Sequence, residues 1–300
     1  MTENKKSAVA LGSFDGLHKG HMSVIACALS KKECGLVPVV LLFESHPLKI
    51  LTGKAPAELL SPSARNEILH KAGIESHFIN FEKIRDYSPG EFFEKIIIGE
   101  LNAGAVCCGD NYRFGKNGSG NCGDLQKLCE DNSVMFDCVG LVNYGGSPVS
   151  STRIRAAISE GNIADANAML GREFSYKTEV VDGKKRGRLL DAPTINQYFE
   201  PGFIIPKAGV YASVTTVDGR EYPSVTNIGL RPTFENEDFR SETYIIGFEG
   251  NLYGRFIEVK LIKYLREEIR FSSEQALKDQ IAADAGESAA VFGKRGADIV

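Results

Sequence analysis

The sequence predicts an α/β domain built on a parallel sheet, followed by a small antiparallel β-barrel with a C-terminal helix. Three observations carry that expectation. Strand-like and helix-like stretches alternate from residue 8 to 139, the pattern of a parallel sheet with helices on both faces. After residue 175 the pattern changes to short β-rich runs broken by Asp182-Gly183, Asp218-Gly219 and Glu249-Gly250, and such turns join antiparallel strands. The 300 residues exceed the usual size of one domain, and a boundary near Leu170–Glu173 divides them into 1–171 and 172–300.

In chain order, the apolar run Ala8–Ser13 reads as a strand and Met22–Leu29 as the helix after it. Val37–Phe43, Ser76–Asn80, Ala105–Cys108 and Val134–Val139 follow as strands, with helices over Ser61–Ala72, Ser88–Gly99 and Asp124–Asp131 between them. Ser61-Pro62 and Ser88-Pro89 each pair a capping hydroxyl with proline at the first helical position. A helical segment starts around Thr152. In the second half Tyr176–Val181, Val210–Val217, Ser224–Ile228, Thr243–Phe248 and Phe256–Leu261 read as strands, and a Ser-Ser cap opens a helix from Ser273 to about Ala283. The glycine-rich stretch Gly115–Gly123 reads either as a flexible surface connection or as a lid over a nucleotide.

Composition narrows the function classes. Net charge is −4, and Lys+Arg against Asp+Glu is 17 to 19 through Leu170 and 18 to 20 after it. Neither half is basic, which argues against nucleic acid as a partner. The longest apolar run, Leu36–Phe43, is too short to span a bilayer, and the N-terminus leads into a strand without a signal-peptide core. The seven cysteines, an odd number with no CxxC pair, suggest neither a disulfide framework nor a zinc site, so a reducing, cytoplasmic setting is expected. All five histidines lie before residue 80 and all cysteines before residue 139. Any chemistry in the second half therefore works without imidazole or thiol.

The segment Gly12-Ser13-Phe14-Asp15-Gly16-Leu17-His18-Lys19-Gly20-His21 joins the first strand to the first helix. A helix N-terminus offers unpaired N–H groups and positive potential, which attract phosphate. His18 and His21, three residues apart, share one face of that turn, and Gly20 leaves the backbone open between them. Two imidazoles beside bound phosphate suit the charge that develops in phosphoryl or nucleotidyl transfer. A pair of surface histidines, or half of a metal site completed by Asp15 or His46, are the alternatives. Farther on, Ser150-Ser151-Thr152-Arg153-Ile154-Arg155 sets hydroxyls and two arginines at a helix start, either an ordinary cap or a clamp for phosphate oxygens.

The ten-residue string Gly12–His21 resembles GxFDGxHxGH, the version of the nucleotidylyltransferase HxGH signature found in bacterial bifunctional riboflavin kinase/FAD synthetases. Ser150–Arg155 resembles the family's SSTxIR element. Phe43-Glu44-Ser45-His46-Pro47 is similar to its FxPHP element, with Ser45 where proline is usual, and Gly109–Gly115 to its G-x-[DN]-x-R-F-G element. The resemblance implies a Rossmann-like domain that transfers the adenylyl group of ATP to FMN, releasing pyrophosphate and forming FAD. It implies catalytic roles for His18, His21 and Arg153, phosphate or ATP contacts at Gly12, Phe14, Gly20, Ser150, Ser151, Thr152 and Arg155, and flavin contacts at His46, Asn111 and Arg113. Without the family, His46 reads as a structural histidine.

The second half is similar to the riboflavin kinases over residues 183–196, which align with GxxxGRxLGFPTAN, although Asp191-Ala192 stands where that family has Gly-Phe. Gly209-Val210-Tyr211, residues 227–234, Leu252-Tyr253-Gly254 and Leu265-Arg266 match as well. The resemblance implies a barrel that phosphorylates riboflavin to FMN. Gly187 would face ATP phosphate, Thr194 and Asn196 would serve Mg²⁺–ATP, and Glu242 would be the catalytic base; on its own, Glu242 reads as an edge-strand glutamate. ATP, riboflavin and FMN are the implied partners. Two alternatives remain open at this point: a monofunctional FMN adenylyltransferase with a degraded kinase barrel, and a barrel that binds flavin without turnover.

Overall fold

In the computed structural model, residues 5–182, 192–232 and 237–295 are described. Contacts divide the chain into two compact units, Met1–Ser151 and Thr152–Val300.

In the first unit β1 (Ser7–Leu11), β2 (Val37–Phe43), β3 (Glu75–Ile79), β4 (Ala103–Gly109) and β5 (Met135–Val139) form one sheet in the order β3-β2-β1-β4-β5. Every pairing is parallel, as the alternation predicts. The chain moves outward from β1 to β3, then lays β4 on the other side of β1. Crossovers therefore leave β1 and β4 in opposite directions, and the crevice at their carboxyl ends is where such sheets bind ligands. Val9, Leu11, Val106 and Cys108 pack on one face against Phe92, Phe93 and Ile96. Ala8, Ala10, Val40 and Leu42 pack on the other against Val24, Ile25 and Ala28 of α1 (Lys19–Ser30). Full burial of each large side chain contributes about 1.5–3 kcal/mol.

The short helix α2 (Pro47–Thr52) is followed by α3 (Pro62–Lys71), α4 (Phe81–Ile84), α5 (Pro89–Phe92) and α6 (Cys122–Asp131). Ser61 Oγ accepts the Ala64 N–H at 3.3 Å, and Ser88 Oγ accepts the Glu91 N–H at 3.2 Å while Glu91 accepts the Ser88 N–H at 2.9 Å. Both Ser-Pro pairs thus cap as read. The helix read through Gly99 is α-helical only to Phe92; Phe93–Glu100 winds as a π-helix, with Leu101 N–H reaching the Ile96 carbonyl at 2.9 Å. Gly115–Gly123 is not a loose loop. Phe114 and Gly120 exchange backbone hydrogen bonds of 3.1 and 2.9 Å, and Lys116 N–H donates to the Tyr87 carbonyl at 2.6 Å. A small hairpin of β6 (Asn143–Tyr144) and β7 (Ser147–Pro148) precedes Ser150.

The second unit starts with α7 (Ser151–Glu160) from Thr152 onward and α8 (Ile163–Leu170). Asn167 of α8 fastens it to the sheet: its amide donates to the Leu261 carbonyl at 2.9 Å and accepts the Phe174 N–H at 2.7 Å. Strands β8 (Phe174–Glu179), β9 (Thr194–Tyr198), β10 (Gly209–Val217), β11 (Arg220–Pro232), β12 (Glu237–Ile245) and β13 (Phe256–Arg266) run antiparallel in the order β8-β13-β10-β11-β12-β9. The outer strands meet where Val181 N–H donates to the Asn196 carbonyl at 2.9 Å, which curls the sheet into the expected barrel. Asp218 and Gly219, both at positive φ (50° and 78°), make the tight turn between β10 and β11. Glu249-Gly250 makes no such turn; β12 ends at Ile245 and residues 246–255 form a longer connection. The last helix, α9 (Glu274–Lys294), carries the predicted Ser273 cap but runs well past Ala283.

Beside an apolar cluster of Val180, Val217, Ile245, Leu252 and Ile257, the barrel interior holds a chain of hydroxyls. Ser213 and Thr226 hydroxyls lie 2.8 Å apart, Thr226 and Thr243 2.9 Å, and Ser224 donates to Thr215 at 2.8 Å. All five are buried, and the Tyr176 phenol faces Thr226, Ser241 and Thr243. From α9, the buried Ser288 hydroxyl donates to the Ser224 carbonyl at 2.6 Å. Buried hydroxyls are tolerated when they satisfy one another. Thr226→Val keeps the shape but removes the central link between Ser213 and Thr243, so it should lower unfolding free energy by about 1–3 kcal/mol. The shift of the barrel transition in urea measures this.

Candidate functional site

The turn after β1 is held in an unusual backbone shape. Phe14, Gly16 and Leu17 have φ of 49°, 77° and 42°. A left-handed phenylalanine or leucine is strained, and it persists here because both side chains are fully buried in the core between the sheet and α1. The strain delivers His18 to the start of α1. Its Nδ1 accepts the His21 N–H at 3.3 Å, so His18 is the helix cap as well as a site residue. The His18 and His21 rings stack, centroids 3.6 Å apart and 15° between planes. His21 Nε2 lies 3.4 Å from Ser13 Oγ. A Cβ at residue 20 would come within 3.3 Å of the His18 ring, so the glycine of this motif makes room for the stack as well as for a ligand.

A cavity of about 420 Å³ opens over this turn. Gly12, Phe14, His18, Gly20 and His21 line it from β1 and α1, Asn111 and Arg113 from the segment after β4, and Ser150 and Ser151 from the chain entering α7. This is the switch point between β1 and β4. Ser151 Oγ donates to the Asp15 carbonyl at 2.9 Å, which ties two motifs 136 residues apart. Tyr112 adds a wall that sequence reasoning quoted but did not single out; burial pushes its phenol above the usual range, so it stays a neutral donor. His46 is not among the lining residues described. It caps α2, its Nδ1 accepting the Leu48 N–H at 3.1 Å. Nor does any residue of Gly115–Gly123 line the cavity, so the lid reading of that stretch gains no support among the described residues. Thr152, Arg153 and Arg155 belong to α7 in the second unit.

The second unit has its own cavity, of about 610 Å³. Thr194 of β9, Asn227 of β11 and Glu242 and Tyr244 of β12 line one side of it, and Leu277 and Ile281 of α9 the other. The register sets Glu242 opposite Asn196 and Tyr244 opposite Thr194, so the three residues singled out in the sequence converge. Asn196 is buried beneath them. Ala192 lines the cavity as well, whereas Gly187 and Asp191 lie outside the described residues. Arg240, buried, donates to the Glu242 carboxylate. Sequence reasoning missed it, although its position two residues before Glu242 puts it on the same face of a strand. Asn227 Nδ2 donates to Glu268 at 2.7 Å, and Arg266 grips Asp284 of α9 through two bonds of 3.2 and 2.6 Å. At Gly209 a Cβ would stand 2.6 Å from the Arg266 carbonyl, which fixes glycine where β10 passes this arginine.

Thr194 and Asn196 sit on one face of β9 and offer neutral oxygens. Such a set fits Mg²⁺, which keeps most of its ligands from water and phosphate and takes few from protein. Among the described residues no helix is long and apolar enough to cross a membrane.

Comparison with known proteins follows the same division. A family model described as FAD synthetase matches residues 1–153, and one described as riboflavin kinase matches residues 170–292. Bifunctional riboflavin kinase/FMN adenylyltransferases from Listeria monocytogenes and Bacillus subtilis are each 33% identical to this chain. They cover 95% and 97% of it and 92% and 94% of their own lengths. The Escherichia coli K12 protein of that name is 32% identical over 92% of this chain and 90% of its own. A crystal structure described as a macrolide-efflux protein from Streptococcus pneumoniae superposes with a TM-score of 0.89 at 29% identity, covering 96% of this chain and 95% of that one. Matched at both ends and along almost its whole length, the chain belongs to the bifunctional riboflavin kinase/FMN adenylyltransferase family.

Proposed function

We infer that this bifunctional transferase makes FAD in two ATP-dependent steps, phosphorylating riboflavin to FMN and adenylylating FMN to FAD with release of pyrophosphate. The observation that carries the reading is the convergence of the stacked His18–His21 pair, Asn111, Arg113, Ser150 and Ser151 on one cavity at the sheet's switch point. Residues 1–171 are assigned to adenylyl transfer and 172–300 to the kinase.

In the first site a phosphate oxygen of FMN attacks the α-phosphorus of ATP. That nucleophile is already ionised, so the protein's task is to align the reactants and balance charge. The N-terminus of α1, His18 and His21 supply donors where negative charge grows, and Ser150, Ser151, Thr152, Arg153 and Arg155 are assigned to the ATP phosphates. Asn111 and Arg113 are assigned to the flavin, as is His46 on the family's pattern alone. In the second site the terminal ribityl hydroxyl attacks the γ-phosphorus and Glu242 accepts its proton, with Arg240 orienting the carboxylate. Thr194 and Asn196 would hold Mg²⁺, whose charge neutralises the phosphates of ATP; Gly187 is assigned to phosphate by its motif. We assign both reactions to the cytoplasm, on the seven free thiols.

The test is chromatography of products after separate incubations of riboflavin and of FMN with Mg²⁺–ATP. FMN and FAD should appear from riboflavin, and FAD from FMN. Thr194→Ala should slow FMN formation by at least the ~10-fold that follows loss of a metal-supporting contact, and leave FAD formation from supplied FMN untouched. Loss of both activities in that variant would overturn the two-site assignment.

A further inference from the structure

The sequence holds no CxxC pair, yet folding brings its cysteines together on both faces of the β4–β5 edge. On the α1 face Cys27 and Cys107 sulfurs lie 2.8 Å apart, with Cys107 fully buried. Asp137 stands beside them, but its carboxylate already pairs with Lys31 at 2.6 Å. On the α6 face Cys122, the first residue of α6, has its sulfur 2.7 Å from that of Cys138 on β5 and 3.9 Å from that of Cys108 on β4. Cys138 is exposed and Cys122 half-buried, so this pair is open to a reagent in solution.

We propose that Cys122 and Cys138 form a reversible disulfide that acts on the wall of the first cavity. Three observations carry this. The two sulfurs need to close by only about 0.7 Å to reach a covalent separation of about 2.05 Å. Val139 and Gly140, the residues after Cys138, line the cavity, as does Gly109 after Cys108. The Asp110 N–H donates to the Val139 carbonyl at 3.1 Å, which couples the end of β5 to the segment carrying Asn111 and Arg113. Tying α6 to β5 therefore pulls on the end of β5 and, through that bond, on the segment that carries the proposed flavin contacts. No function described above uses either thiol.

The oxidant is a hydroperoxide. One sulfur attacks its terminal oxygen, the O–O bond breaks, and the other oxygen leaves as water or alcohol. The second sulfur attacks the resulting sulfenic acid, the S–O bond breaks, and water leaves. Two thiols lose two protons and two electrons, and the peroxide takes them up. Burial, and then the hydrogen bond to Cys122, raise the Cys138 thiol to about 11, so Cys138 rests as a neutral thiol at neutral pH and its own attack on a peroxide is slow.

The full-length protein, reduced and then treated with hydrogen peroxide, is freed of oxidant and mapped by peptide mass spectrometry. A Cys122–Cys138 linkage should form before any linkage involving Cys107. FAD formation from FMN and FMN affinity, the latter by equilibrium dialysis, should fall by roughly tenfold and return with dithiothreitol; displacements of about 1 Å at a site have effects of this size or more. Cys138→Ser should match the reduced protein and ignore peroxide. The effects on turnover and on FMN affinity rest on the adenylyl-transfer reading, but the linkage does not, so a failure of that reading shows separately, as a reduced protein that makes no FAD. Absence of the linkage, or, in a protein that makes FAD when reduced, a linkage that leaves FMN affinity unchanged, overturns the proposal.

Discussion

His21→Ala should reduce FAD formation from FMN by roughly 10²–10³, the loss that follows removal of one preorganised transition-state donor. His21 is the cleaner of the two histidines to test. His18 caps α1 through its Nδ1, so replacing it mixes a catalytic loss with a capping loss of about 0.5–2 kcal/mol. His21 stacks on His18 and lines the cavity without capping a helix. Its loss removes a ring and the donor assigned to the reacting phosphate, and leaves the strained turn of Phe14 and Leu17 anchored by burial. Steady-state turnover with unchanged thermal unfolding would locate the effect in chemistry. Near-normal FAD formation would remove His21 from the mechanism and leave the phosphate to the backbone of α1. FMN formation from riboflavin should not change.

Glu242→Gln should lower FMN formation from riboflavin by about 10²–10⁴, the usual worth of a positioned general base. Glutamine fills the same space between β9 and β11, and its carbonyl oxygen can still accept from Arg240. It cannot accept the ribityl proton. Riboflavin binding, followed by quenching of flavin fluorescence, should survive, and FAD formation from supplied FMN should stay at its original rate. If the variant phosphorylates riboflavin as fast as the parent, the base lies elsewhere in the cavity. A parent barrel that binds flavin but makes no FMN would instead be a binding module.

Much of the fold was legible because it is local. Ser61 and Ser88 announced helix starts through side chain and proline together, and the Asp218-Gly219 turn followed from the left-handed backbone its two positions need. What failed was set by partners distant in sequence. β9 (Thr194–Tyr198) is short and carries Asn196-Gln197 in its middle, which breaks any apolar alternation, and it exists through its pairing with β12 some 45 residues later. The serines and threonines of β10, β11 and β12 carry no motif that marks them as interior; they are buried where the barrel supplies each with a hydroxyl partner. In the sites, motif residues within one turn, such as His18 and His21, were legible together. Arg240 beside Glu242 was not, since a lone strand arginine has no motif to mark it. The Cys122–Cys138 approach depends on how α6 docks on the sheet, which spacing does not encode.

The hydroxyl chain inside the barrel also bears on how this protein meets cold. Exposing apolar surface on unfolding raises heat capacity by about 0.45 cal/K/mol per Å², while exposing polar surface lowers it by about 0.26. A core in which Ser213, Thr215, Ser224, Thr226 and Thr243 replace aliphatic side chains releases polar groups as it opens. Those hydroxyls keep its heat-capacity increment below that of an all-aliphatic interior of the same size. A smaller increment flattens the curve of stability against temperature. Directional bonds between hydroxyls also do not fade on cooling as water-driven burial does. The unit assigned to phosphorylation thus holds a more even margin against temperature than a barrel of the same size with an all-aliphatic interior would.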